Sequence, residues 1–469
     1  MTIDALPDET LLDVFHFYVV ETSIVLAWKT LANVCKRWKM VISSSAHRLN
    51  LRLLCTFTSI TREVLVSWPN LPIIIQGNLD IVFKRDRSGK FKNEFMPVDN
   101  IVDALKHKDR ICEIYLKCKT SRTSLRLTKI AEAALEPFPM LTRLELSLRD
   151  GMAVVLPDSF MGGSVPRLQR LDLFHVSFPT LPNLLLSATD LNYLRLWDIP
   201  NSGYISPEGF VSCLSTMTRL ETFHLGFRFP RPPPDQRSRH PLQLTRIILP
   251  ALTRFLFRGN SEYLDDLMAQ IDVPLLEELN VTIFNQLVFD MPQLLRLLSR
   301  TERLSALNQA DILIDGDYVR VKFSPQRGTA SHKSLVLFIK CRDVDWQISS
   351  LAQVFRPSLP PLSTLERLDI FESLQSLPRW QDGMENIQWL ELLQPFTAVK
   401  NLYLSKELVS RVAPALQELI GDGVAELLLP ALQNLFIGGP QPTGLVQEAI
   451  AKFILERQLS GHSVAVHHW

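Results

Sequence analysis

The sequence lacks paired cysteines, a sizeable net charge of either sign and any long apolar run. Its six cysteines, Cys35, Cys55, Cys112, Cys118, Cys213 and Cys341, are scattered through 469 residues without a C-x-x-C pair. A structural zinc needs convergent ligands at short spacing, so none is expected, and the thiols read as free and mostly buried. Fifty basic side chains stand against forty-nine acidic ones, a formal charge of +1. That balance predicts neither a nucleic-acid nor a membrane partner. Apolar runs such as "ELLLPALQNLFIGG" are broken by proline or polar residues well short of the ~20 that span a bilayer. Asp4, Asp8, Glu9 and Asp13 stand where a signal peptide carries positive charge. A soluble protein of the cytoplasm or nucleus is expected. Gly-rich phosphate loops, nucleophile elbows and zinc-protease motifs are also missing, so no catalytic residue, metal or cofactor is assigned.

Present instead is apolar mass, 46% of residues, enough for an extensive core. It begins at once. In "ALPDETLLDVFHFYVV", Pro7 and Asp8 open a helix whose stripe is Leu11, Leu12, Phe15 and Val19. A second helix is predicted from about Ser23, with Leu26, Ala27, Leu31 and Val34 on one side and Trp28 and Cys35 widening it. A third, short helix carries Trp38 and Val41. Three short helices lie near the limit of what folds alone. Leu6, Leu11, Leu12 and Phe15 would each yield roughly 1.5–3 kcal/mol if buried, and a partner surface is one place to bury them.

The ordered set Leu6-Pro7, Leu11-Leu12-Phe15, Leu31, Val34-Cys35 and Trp38 resembles an F-box, over about residues 4–45. The resemblance implies a helical module at residues 1–48 that docks onto a Skp-family adaptor and, through it, a cullin–RING ubiquitin ligase. By the same resemblance Leu6, Pro7, Leu11, Leu12 and Phe15 face the adaptor, with Leu31, Val34, Cys35 and Trp38 in or beside that surface.

After residue 48 one phrase returns: L-x-x-L-x-L, other apolar residues allowed. It starts at Ile111, Leu141, Leu168, Leu191, Leu220, Leu252, Leu276, Leu365, Val399 and Leu432. Successive starts differ by 30, 27, 23, 29, 32 and 24 and, after a gap, by 34 and 33. Self-similarity at such a period signals a solenoid. The last two apolar residues of each phrase are two apart, as on a short strand with one buried face. Segments between phrases, "PEGFVSCLSTMT" and "EYLDDLMAQI" among them, have helical spacing. This resembles irregular leucine-rich repeats. The fold class expected is therefore α/β: a three-helix F-box, then a leucine-rich-repeat solenoid over residues 49–469. Its short parallel strands would line the concave side, with helices and turns on the convex side. The usual loop-closing asparagine is met only at Asn260, where Arg149, Val176, Ile199 and Arg228 stand elsewhere. An F-box joined to irregular repeats resembles the large F-box families of fungi.

Three stretches depart from the period. "ADILIDGDYVRVKFSP" reads as a hairpin about Asp315-Gly316 and "KSLVLFIKC" as a further strand, so a strand insertion is expected near residues 305–348. "RFPRPPPDQRSRHP" and the basic "KRDRSGKFK" read as exposed loops, and the terminal "GHSVAVHHW" as a frayed tail. The acidic pairs Asp265-Asp266 and Glu277-Glu278 do not promise the convergence a general acid and base require.

Outward strand positions are the candidate target-binding residues: Glu145, Asp172, Arg195, Trp197, His224, Arg254, Asn280, Asp369, Tyr403 and Phe436. Arg195, Trp197, His224, Tyr403 and Phe436 have the composition favoured at interface centres. The function these features imply is a non-catalytic substrate receptor of a ubiquitin ligase, holding an unidentified target protein. Rivals are a protein-binding scaffold outside any ligase and an enzyme with its pocket in the 305–348 insertion.

Overall fold

The computed structural model describes residues 6–469 apart from 23–26, 58–61, 69, 80–81, 86–90, 95–97, 119–123, 150–153, 229–245, 285–290, 306, 326–332, 342–343, 357–361, 363, 374–385, 419–427 and 440–442. Contacts divide the chain into two compact units, Met1–Ile205 and Ser206–Trp469.

The first unit opens with helices α1 (Asp8–Thr22), α2 (Ala27–Ala32) and α3 (Lys36–Ser44). Pro7 needs no amide partner at this helix entry, and its carbonyl accepts from Leu11 N at 3.0 Å. Asp8 and Glu9 sit at the positive end of the helix dipole. Arg37 reaches back to donate to the Leu6 carbonyl at 2.6 Å and to Asp8 at 2.7 Å. Cys35 caps α3: its backbone is extended and its Sγ accepts from Trp38 N at 3.4 Å, a thiol doing what a serine hydroxyl usually does. Phe15 and Trp38 meet with ring centroids 4.8 Å apart. Trp28 donates to the Arg52 carbonyl at 3.1 Å and meets Trp68 edge-on at 4.9 Å, so the helical core runs into the first repeats. The predicted cap Ser23 lies outside the described residues, and Val34 falls in the turn after α2 rather than on it.

Six parallel strands follow in chain order: β1 (Leu53–Cys55), β2 (Ile73–Asn78), β3 (Ile111–Cys118), β4 (Arg143–Leu148), β5 (Arg170–Phe174) and β6 (Tyr193–Ile199). Parallel neighbours need a crossover, and helices Asp99–Leu105, Ser124–Glu132 and Leu181–Ser187 lie in three of the connections. Register aligns the repeat leucines: Leu144, Leu171 and Leu194 in one row, Leu146, Leu173 and Leu196 in the next. None is more than 4% exposed. Burying each is worth roughly 1.5–3 kcal/mol, the driving force for stacking one repeat on another.

The second unit carries β7 (Thr222–Phe227), β8 (Arg254–Gly259), β9 (Glu278–Ile283), β10 (Gln309–Ile314), β11 (Tyr318–Ser324), β12 (Ser334–Lys340), β13 (Arg367–Glu372), β14 (Asn401–Leu404), β15 (Asn434–Ile437) and β16 (Ala465–His468). Their spatial order is β7-β8-β9-β12-β11-β10-β13-β14-β15-β16. The expected insertion is present as a three-stranded meander laid into the ladder in reverse. β12 runs parallel to β9 and β10 parallel to β13, while β11 between them is antiparallel to both. The hairpin turns where expected, with Asp315 N donating to the Tyr318 carbonyl at 2.9 Å. The fully buried Gln347, on helix Val344–Phe355, donates to the carbonyls of Asp315 and Cys341 at 2.8 Å each, tying that helix to the ends of β10 and β12.

Two expectations need correction. The C-terminal tail is not frayed: β16 pairs in register with β15, Ala465 N donating to Gln433 O at 2.8 Å and Trp469 N to Ile437 O at 3.1 Å. Val464, 5% exposed, anchors it from below. The basic "KRDRSGKFK" stretch is not only loop, since Val82–Arg85 and Phe91–Glu94 pair antiparallel; residues 86–90 lie outside the described residues. Most of the proline-rich 228–241 segment lies outside them too. Among the described residues no helix is long and apolar enough to cross a membrane.

Candidate functional site

At the N-terminal module the structure separates two kinds of residue that the sequence pattern joined. Leu11, Leu12, Phe15, Leu31 and Trp38 are core residues, none more than 8% exposed, and their assignment to a docking surface is corrected accordingly. They are apolar because they fill the space between α1, α2 and α3. Leu6 is half-buried, and Pro7, Val34 and Cys35 are exposed. The apolar surface left over includes residues the motif did not single out: Phe17 and Met40, each 67% exposed, and Val14 at 45%. Val14 and Phe17 are three apart and so share one side of α1.

In each unit the strand positions alternating with the buried leucines form a row of polar and aromatic side chains on the other face of the sheet. In the first unit Tyr115, Glu145, Asp172 and Arg195 are consecutive register partners. Charges cancel from strand to strand: Glu145 takes Lys117 at 3.4 Å and Arg143 at 3.8 Å, and Asp172 takes Arg195 at 3.4 Å. The Arg170 guanidinium lies 3.5 Å over the Tyr193 ring, and that of Arg195 5.7 Å from Phe174. Burial pushes the Asp172 carboxyl above its ordinary range, and Arg195 only partly offsets it. Trp197 follows Phe174 in the next row, half-buried.

The second unit gathers a denser cluster at one end. Asp369, Tyr403, Phe436 and His467 are register partners across β13 to β16. Parallel strands about 4.8 Å apart bring like positions to stacking distance. Tyr403 and Phe436 stack at 4.1 Å with planes 3° apart, and Phe436 on His467 at 4.7 Å. Arg367 caps the column, its guanidinium 3.9 Å over Tyr403. Asp369 holds that guanidinium side-on, accepting from Nε at 2.8 Å and Nη2 at 3.0 Å, and this pairing raises the Arg367 pKa further. Alongside runs an amide ladder: Asn434 Nδ2 donates to Asn401 Oδ1 at 2.9 Å, and His467 Nε2 lies 3.3 Å from Asn434 Oδ1. A cavity of about 350 Å³ opens here, lined by Arg367, Asp369, Ile370, Phe371, Tyr403 and Trp469.

Of the five favoured target-binding positions, Tyr403 and Phe436 are brought together. Arg195 and Trp197 share a face in the first unit, and His224 sits on β7, at the opposite end of its ladder from the aromatic column. Arg367, Phe371 and Trp469 were not singled out, and His467 was read only as part of a frayed histidine-rich tail. A signal for two of them existed: "RLDLF" at Arg170–Phe174 returns as "RLDIF" at Arg367–Phe371. Burial raises the thiols of Cys55, Cys112 and Cys213 to about 11, far from reactive thiolates. The acidic pairs have structural partners: Asp265 accepts from the amides of Gln293 and Leu294, Glu277 pairs with Arg303 and Glu278 with Arg254.

No protein-family profile matches the chain. No curated protein matches it either. Among solved structures it is similar to the leucine-rich repeat-containing protein LegL7 from Legionella pneumophila, at 13% identity and a TM-score of 0.29, over 83% of this chain and 98% of that one.

Proposed function

We propose that this chain is the substrate-recognition subunit of a Skp–cullin–F-box ubiquitin ligase. Its N-terminal module docks the Skp-family adaptor, and the open faces of its repeats hold a target protein. The repeat architecture supports the second half: ladders of parallel strands, backed by helices, that leave rows of aromatic and charged side chains uncovered. One observation carries the first half. The helical module has already filled its own core with Leu11, Phe15, Trp28 and Trp38, and still leaves Pro7, Val14, Phe17, Val34 and Met40 in water. The role is non-catalytic and needs no cofactor; it raises a target's effective concentration at the ligase. Work in the cytoplasm or nucleus follows from such partners.

The test is capture of recombinant Skp-family adaptor and cullin by the full chain and by a Pro7→Ala/Phe17→Ala/Val34→Asp variant. These are surface positions, so the melting temperature is expected to hold while adaptor affinity falls at least about tenfold. Undiminished capture removes the docking surface. Capture of adaptor but never of cullin favours a protein-binding scaffold outside a ligase.

A further inference from the structure

The cavity in the second unit has a chemistry that selects its occupant. Asp369 takes Arg367 through Nε and Nη2, which leaves Nη1 without an acceptor among the described residues. The Tyr403 hydroxyl and the Trp469 indole N–H also have no hydrogen-bond partner among the described residues. Three donors thus border one cavity whose remaining lining is Ile370, Phe371 and the Asp369 carboxylate that Arg367 already engages. An occupant must bring acceptors and an apolar body.

Charge narrows the class. The Arg367 charge is already met by Asp369, itself 6% exposed, and Asp311 on β10 is the register partner of Asp369. Lys322 is in turn the register partner of Asp311. An entering carboxylate or phosphate would be desolvated beside two fixed carboxylates, which costs more than Nη1 returns. A cation would meet the Arg367 guanidinium, which already engages both oxygens of Asp369, the one carboxylate in the lining. What remains is a neutral acceptor, and the neutral acceptor of proteins is the amide carbonyl.

Size and surroundings point to a chain rather than a small molecule. About 350 Å³ is at the low end for ligand pockets, room for one large side chain and the peptide groups beside it. The cavity opens on the face along which Tyr403, Phe436 and His467 continue, so a bound chain would have further aromatic surface to lie against.

We infer that this cavity anchors an extended, uncharged peptide segment of a partner protein. It seats one bulky apolar side chain against Phe371 and Trp469, with the flanking carbonyls accepting from Arg367, Tyr403 and Trp469. This rests on the protein-recognition half of the proposed function and not on adaptor docking.

The experiment pans a displayed library of random dodecapeptides on the full-length chain and measures the enriched peptides by calorimetry. Two variants spare the fold. Trp469→Ala removes a side chain that is 67% exposed and keeps both backbone bonds of that residue, and Tyr403→Phe removes only the hydroxyl. Uncharged peptides sharing one bulky apolar residue are expected, with affinity falling about tenfold in Trp469→Ala and about threefold in Tyr403→Phe. Failure to enrich any sequence, an acidic or basic consensus, or equal binding by both variants overturns the inference. Adaptor capture by the same variants is read in parallel and is expected to be unchanged. Its loss in the wild-type chain, with peptide binding intact, would sink the ligase and leave the cavity's role standing.

Discussion

Asp172 sets burial against charge within one side chain. Its carboxyl is 4% exposed, and Arg195 at 3.4 Å does not fully repay the lost hydration, so its pKa lies above the ordinary value of 3.8. A raised folded-state pKa means that the folded chain holds this proton more tightly than the unfolded chain does. The stability it contributes is present below the unfolded value and is lost as pH rises through the folded one. Asp172→Asn keeps the shape and an acceptor for Arg195 without the buried charge. It is expected to melt higher than the wild type at pH 7, with the gap closing as pH falls through the raised folded value and gone below the ordinary 3.8. Scanning calorimetry across that range decides it, and a variant that melts lower at neutral pH would show that the Arg195 pair outweighs desolvation. At this scale the sequence was half legible. The spacing of Leu11, Leu12 and Phe15 shows that they act together, but not that the surface they cover belongs to their own chain. That depends on Trp38, which only the fold of three helices brings to 4.8 Å from Phe15.

Elements were most legible where one local rule decides them. "LQRLDL" and its fellows fall on ladder strands because apolar residues two apart can share a buried face only in extended backbone. β16 escaped because its four residues hold two histidines and no leucine; its pairing partner, not its composition, makes it a strand. Hydrogen exchange tests that account: the amides of Ala465 and Trp469, bonded to Gln433 and Ile437, are expected to be protected, whereas a frayed tail would exchange at the free-peptide rate. Helix Pro292–Arg300, which no motif marked, opens on a proline but has no side-chain cap of its own. Met291, its N-cap, offers no side-chain acceptor, and Asp265 from helix Ser261–Met268 supplies one instead, to Gln293 N at 2.7 Å and Leu294 N at 3.2 Å. Asp265→Ala is expected to cost about 0.5–2 kcal/mol in denaturant unfolding, with Asp265→Asn recovering part of it. A cost below a few tenths would mean that water caps the helix as well.

For the whole molecule, charge is the property that composition fixes and only coordinates can map. A total of +1 permits either a uniform mixture or strong opposed patches, and the stretch Arg52–Lys129 is the sharpest candidate for a patch, with fifteen basic residues against eight acidic. The structure spends much of that surplus locally. Arg52 pairs with Glu113, Lys106 with Asp103, Lys108 with Glu136 and Lys117 with Glu145. Arg110 turns inward to donate to the carbonyls of Leu65, Leu71 and Trp68. Arginines further along the ladders are held the same way, Arg195 by Asp172, Arg254 by Glu278 and Arg367 by Asp369. Phosphate binding draws its energy from counterions displaced by unpaired cations, and a guanidinium already facing a carboxylate displaces few. Binding to a 20-base-pair DNA duplex is therefore expected to be weaker than about 100 μM at physiological salt, no better than non-specific. Fluorescence anisotropy at 50 and 150 mM salt is the measurement. Tighter binding that collapses over that interval would show that the basic stretch keeps its field despite its partners, and would place a nucleic acid among the ligands of this chain.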